Sequence, residues 1–151
     1  MLQPEFLTEL FRLAKKDVLG TLIDSNGSLF DWKEQEALLA VTDGVMLDVK
    51  AFTKEDHLRV TCCENELVLK NAVALAEKGK LFEVRTVIVP ELFDAKENVR
   101  RTAEYLAPYL AKGAIRYKLI RFRPNGVREA YAHYKIPTQE CMEELAELVE
   151  S

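Results

Sequence analysis

The chain has 151 residues and a mass of 17.3 kDa, 48% of them hydrophobic and 30% charged, which are the proportions of one ordinary globular domain. Its 21 Lys and Arg stand against 25 Asp and Glu, a formal charge of −4 that speaks against a nucleic-acid binder held by phosphate contacts. No apolar run nears the roughly 20 residues of a membrane span. The start, Met1-Leu2-Gln3-Pro4-Glu5, has neither the basic nor the apolar region of a signal peptide, and the three cysteines (Cys62 and Cys63 adjacent, Cys141 apart) fit a reducing cytoplasm.

In chain order, the first predicted element is a helix over 4–16. Pro4 sits near its first turn, Phe6, Leu7, Leu10, Phe11 and Leu13 share a broad face, and Lys15 and Lys16 close it favourably for the dipole. Residues 17–24, with the run Val18-Leu19-Gly20-Thr21-Leu22-Ile23, read as a buried strand that stops at the loop signal Asp24-Ser25-Asn26-Gly27. A helix over 32–40 follows, then a second strand over 44–50, a short helical piece over 54–60 and an amphipathic helix over 66–78. The third strand, 81–89, is rich in β-branched residues and closed by Pro90. A helix over 96–110, a fourth strand over 114–122 and a last helix over 138–148, preceded by Pro137, complete the pattern.

A helix followed by four β–α units, with strands apolar almost throughout, points to an α/β fold: a parallel sheet of four strands flanked by helices, both faces covered. A closed (β/α)8 barrel takes roughly 250 residues, so four units make about half of one, and the opening helix reads as one that has lost its strand. The expected architecture is a single domain over 1–151, a partial barrel without its N-terminal strands. Ligands of such folds sit outside the carboxyl ends of the strands. That rule selects Asp24 and Ser25 after the first strand, Met46, Asp48 and Lys50 on the second, Arg85 on the third, and Arg121 with Arg123 after the fourth, all expected to converge on one rim.

Each of these has a plainer reading. Asp24 can be a turn-forming residue, Asp48 and Lys50 an internal ion pair, and Arg85 a structural cation. His57 and His133 stand apart from any metal-ligand spacing and are assigned to surface or loop. Cys62-Cys63 has no Cys-x-x-Cys partner, and no Gly-rich phosphate loop or nucleophile elbow is present.

Three strings, Leu22-Ile23-Asp24-Ser25-Asn26-Gly27, Val41-Thr42-Asp43-Gly44-Val45-Met46-Leu47-Asp48-Val49-Lys50-Ala51-Phe52 and Val84-Arg85-Thr86-Val87-Ile88-Val89-Pro90, together resemble the pyruvate formate-lyase activating enzymes. These are radical S-adenosylmethionine (SAM) proteins that activate glycyl radical enzymes. The resemblance runs from Met1 to about Phe122, and more loosely beyond. It implies a radical-SAM partial barrel, with Met1 and Leu2 directly following a Gly-Gly-Glu motif that this chain lacks. The Cys-x-x-x-Cys-x-x-Cys loop that holds the [4Fe–4S] cluster is also absent, and Cys62, Cys63 and Cys141 cannot replace it.

By resemblance, SAM is expected to be bound by Asp24, Ser25, Asp48, Lys50, Arg85 and Arg123, with Arg123 standing where the family has a histidine. Asp24, Ser25, Met46 through its carbonyl and Asp48 are expected to form a monovalent-cation site. The implied partners are a glycyl radical enzyme and, for a complete protein, a reductant of the flavodoxin or ferredoxin type, with neither nucleic acid nor membrane. The isolated chain is expected to be inactive for want of the cluster and to form a homo-oligomer through bare strand edges. Two other readings stay open: an aldolase-like Schiff-base enzyme using Lys50, and a non-catalytic remnant that binds a partner.

Overall fold

The structure, a computed structural model, describes residues 3–29 and 31–150. The expected junction at Met1 and Leu2 therefore lies outside the described residues. Helix α1 (Pro4–Lys16) leads into strand β1 (Leu22–Ser25), a 3-10 turn (Trp32–Glu34), α2 (Glu36–Ala40) and β2 (Gly44–Asp48). Then come α3 (Lys54–Thr61), α4 (Glu66–Glu77), β3 (Leu81–Ile88), α5 (Ala95–Leu106), a 3-10 segment (Ala107–Lys112), β4 (Arg116–Arg121), a short 3-10 turn (Glu129–Tyr131) and α6 (Gln139–Glu150). The strands form one sheet in the order β1-β2-β3-β4, every pair parallel, so the expected α/β architecture with four parallel strands and flanking helices is what the chain adopts.

Local chemistry explains the element ends. Thr53 caps α3 by accepting the Asp56 N–H, and Asp94 caps α5 by accepting that of Glu97. The first strand is shorter than expected because α1 ends in a Schellman motif. Leu19 N–H donates to the Ala14 carbonyl and Val18 N–H to that of Lys15, which puts Val18 at φ 58° in the left-handed region and leaves it 92% exposed. The helix expected over 96–110 changes to 3-10 geometry at Ala107, where Pro108 has no N–H to continue the α ladder.

Among the described residues the two faces of the sheet are unlike, which corrects the expectation that both are covered. On one face Ile23, Val45, Leu47, Val49, Leu81 and Val84 pack with Leu38 and Leu39 of α2 and with Val68, Ala72 and Leu75 of α4. A second cluster joins Ile88 and Val89 to Val99 of α5, Phe122 and Leu145 of α6. Burying each such side chain stabilises the fold by about 1.5–3 kcal/mol. The opposite parity of the same strands carries charge. Strands that looked continuously apolar in sequence alternate at their central positions, as one-sided sheets do.

Candidate functional site

The uncovered face is built by strand register. Asp24 of β1 lies opposite Met46 of β2, Met46 opposite Glu83 of β3, and Glu83 opposite Arg116 of β4. One step further along, Asp48 lies opposite Arg85 and Arg85 opposite Lys118. This alignment depends on a bulge: Val45 pairs with Leu81 but Met46 with Glu83, so Phe82 is an extra residue in β3. Without it, Glu83 and Arg85 would face the helices. Gly44 makes the bulge possible, because a Cβ there would lie 2.6 Å from the Phe82 Cβ.

Arg85 is the hub of this face. Its Nε donates to Glu83 Oε1 (2.5 Å), Nη1 to Asp24 Oδ2 (2.7 Å) and Nη2 to the Met46 sulfur (2.8 Å). The other oxygen of Glu83, Oε2, accepts from Arg116 Nη1 at 3.3 Å. Beside this chain, Lys50 Nζ donates to Asp48 Oδ2 at 2.8 Å, both side chains partly exposed. The plainer reading of Asp48 and Lys50 as an internal ion pair is thus realised, and it is realised on the candidate face.

Electrostatics follow from this geometry. Burial pushes the Glu83 carboxyl up, but the hydrogen bond and charge of Arg85, with Arg116 and Lys118 behind it, outweigh burial and hold it below its ordinary value. The Arg85 guanidinium is held more firmly protonated still, first by its hydrogen bond to Glu83 and then by Asp24.

The loops at the strand ends are pinned by buried asparagines. Asn71 of α4 donates through Nδ2 to the Gly27 carbonyl (2.8 Å) and accepts the Trp32 N–H through Oδ1 (2.8 Å), fixing the loop that follows β1. Asn65 donates to the Phe52 carbonyl (2.6 Å), and Asn98 of α5 accepts the Phe52 N–H (2.5 Å), fixing the loop after β2. Within the first loop the turn bonds fall to Ser25, whose Oγ accepts the Gly27 N–H, and to Asn26, so Asp24 is left free for Arg85.

Of the residues chosen from sequence, Asp24, Met46, Asp48, Lys50 and Arg85 share this face. Ser25 does not share their parity, being opposite Leu47. Arg121 does not converge with them: it lies opposite Ile88, and its guanidinium donates to Gln139 of α6. Arg123 is exposed on the loop beyond β4. His57 corrects another expectation. It is buried on α3, with Nδ1 at 2.8 Å from the Cys63 carbonyl and 3.0 Å from Thr61 Oγ1, because it ties down the turn at the helix end; His133 is exposed as expected. Sequence reasoning missed Glu83, Arg116 and Lys118, although charges spaced by two in neighbouring strands, Glu83-x-Arg85 and Arg116-x-Lys118, were the available signal.

The residues present fit some groups and not others. An uncovered face with acids and bases interleaved suits a ligand carrying both signs of charge. For an iron–sulfur cluster there is no fit: Cys62 and Cys63 are exposed at the end of α3, Cys141 lies in the first turn of α6, and among the described residues no group of three or more His, Cys, Asp or Glu side chains is placed to hold a metal. Nor is any described helix long and apolar enough to cross a membrane.

No protein-family model matches the chain. Among curated proteins it is 33% identical over 130 residues to the pyruvate formate-lyase-activating enzyme of Streptococcus mutans, covering 83% of this chain and 49% of that protein. It is 35% identical over 106 residues to the pyruvate formate-lyase 1-activating enzyme of Escherichia coli K12 (70% of this chain, 43% of that one). With the (2S)-3-sulfopropanediol dehydratase activating enzyme of Klebsiella oxytoca the identity is 28% over 138 residues, covering 91% and 43%. Among solved structures, a domain of the pyruvate-formate lyase-activating enzyme of Bacteroides vulgatus superposes with a TM-score of 0.74 over 99% of this chain and 86% of that domain, at 20% identity, which shows a shared fold. The chain is thus a relative of these activating enzymes. It spans about half the length of the curated relatives it matches, a coverage that fits a C-terminal portion.

Proposed function

We propose that this chain, related to the pyruvate formate-lyase activating enzymes over about half their length, is the SAM-binding part of a glycyl-radical-enzyme activating enzyme. The observation that supports it best is the charged face, where Asp24, Asp48, Lys50 and Arg85 stand together on positions that lie within the motifs of the family likeness. SAM carries a carboxylate, an ammonium and a sulfonium. Lys50 and Arg85 would hold the carboxylate, and Asp24 and Asp48 the cationic groups, so that binding exchanges two internal ion pairs for ligand contacts. When bound, SAM supplies the 5′-deoxyadenosyl group that carries the radical chemistry of the complete protein.

The contribution of this chain is to bind and orient. In the whole protein the hydrogen abstracted belongs to a glycine of a partner enzyme such as pyruvate formate-lyase, and the electron comes from a reductant of the flavodoxin or ferredoxin type. With no cluster ligands among its residues, the chain alone binds SAM without cleaving it. A monovalent cation on Asp24, Ser25, the Met46 carbonyl and Asp48 would compete with Arg85 and Lys50 for both carboxylates. Arg123 would reach the cofactor only from the exposed loop past β4. The free thiols fit a cytoplasmic setting. The isolated chain would self-associate through β1, which among the described residues is an edge strand of the sheet and lies beside exposed Val18, Leu19 and Leu22.

Calorimetric titration of the purified 151-residue chain with SAM tests the reading. Saturable binding that weakens by about tenfold or more in Asp24→Asn and Lys50→Met variants is expected, since each removes a charged partner. No binding overturns it, and cleavage of SAM by the chain after anaerobic reconstitution with iron and sulfide overturns the division of labour. Light scattering that shows a monodisperse monomer removes the self-association.

A further inference from the structure

We propose that Glu83 is a positioning residue: its buried carboxylate locks the guanidinium of Arg85, so that the two Nη groups are held across the sheet toward β1 and β2 and ligand affinity on this face is set through Arg85. The consequence for affinity rests on the reading of this face as the SAM-binding face; the locking of Arg85 does not.

Three observations carry the proposal. The Glu83 side chain is only 3% exposed, and both its oxygens are used, one by Arg85 Nε and the other by Arg116 Nη1, so it has no reach of its own to a ligand. It binds the one nitrogen of Arg85 that lies nearest the chain, which fixes the plane of the guanidinium and leaves Nη1 and Nη2 directed to Asp24 and the Met46 sulfur. Glu83 and Arg85 are two residues apart, the spacing at which a strand brings side chains alongside each other, and the bulge at Phe82 turns both to the face of Asp24 and Met46. An arginine stem has several rotatable bonds whose freedom is lost on binding, and a stem fixed beforehand loses less. Glu83 stays ionised through neutral pH because Arg85 and Arg116 more than offset its burial.

The test uses the full chain and two readouts. Nitrogen-15 NMR of the arginine side chains, with the Arg85 signal assigned by its loss in Arg85→Lys, should show a shifted, slowly exchanging Nε–H in the wild type. Glu83→Met should abolish that signature and weaken SAM binding about tenfold, while Glu83→Gln, which keeps an acceptor, recovers part of both. An unchanged Nε–H signal or unchanged affinity in Glu83→Met overturns the proposal. If the wild type does not bind SAM, the function reading fails and the NMR readout alone decides whether Glu83 fixes Arg85. If Glu83→Met does not fold, an acid titration of the wild type decides: the Arg85 Nε shift should hold through the ordinary glutamate value of 4.5 and change only below it, and a change at or above that value overturns the proposal.

Discussion

On the helix-covered side of the sheet, Val45, Leu47 and Val84 are fully buried among apolar side chains of α2 and α4; on the other side of the same strands, Arg85 is hydrogen-bonded to Glu83 and Met46, and Asp48 is ion-paired with Lys50. The covered side is stabilised in proportion to area and responds to lost volume. The charged side gains less from each contact, and responds instead to a group left without its partner. Stability and ligand chemistry are thus sorted by side-chain parity within strands of four to eight residues.

The sharpest way to break that comparison is to injure each side in turn. Leu47→Ala should lose roughly 2–5 kcal/mol in denaturant unfolding, through a cavity beneath β2 that nothing refills. Glu83→Met should lose up to roughly 3–5 kcal/mol by leaving Arg85 and Arg116 without their carboxylate, yet the double variant Glu83→Met/Arg85→Leu should recover much of that loss while SAM binding weakens further. If the double variant is no better than the single one, the charged face contributes to the fold by packing and the contrast is wrong.

Gly44→Ala asks whether the bulge links the two sides. Overpacking against the Phe82 Cβ should cost about 1–3 kcal/mol and displace Glu83 with it, so the Arg85 Nε–H signal should move along with the melting temperature. Acid adds a pH test. The folded-state value of Glu83 is depressed, so its contribution is fully present above the ordinary value of 4.5 and lost as pH falls through the lower folded value. The stability gap between wild type and Glu83→Gln should therefore be flat near neutrality and shrink only below about pH 4.5. The smallest effect belongs to neither side: Val18→Gly relieves a left-handed β-branched residue that packs on nothing and should stabilise by about 1 kcal/mol.

Much of the fold was legible because its signals are local. The helices over 4–16 and 66–78 follow from periodicity and end charges, and the strands from runs of β-branched and aliphatic residues broken by Asp-Ser-Asn-Gly and Pro90. The start of β1 was not legible, because Val18-Leu19 has the composition of a strand and only the hydrogen bonds closing α1 reassign it. In the candidate site, Asp24, Asp48, Lys50 and Arg85 could be picked out as charges at strand ends. The way they meet could not: which side Arg121 faces, and that Glu83 and Arg85 share the face of Asp24 and Met46, depend on register, and register here turns on one unpaired residue.

That residue gives the strand something like a reading frame. Phe82 acts as an inserted letter, and every side chain after it is read on the side where it is used. Were Phe82 kept but paired regularly, opposite Met46, β3 would be translated inside out, with Glu83 and Arg85 driven against Val68 and Leu75 and Val84 turned to water; deleting Phe82 would instead leave Glu83 opposite Met46 in an unbulged strand. A homologous sequence with one residue fewer between Gly79 and Arg85 would keep the frame with a regular strand, and such a strand would have no need of a glycine where Gly44 makes room for Phe82.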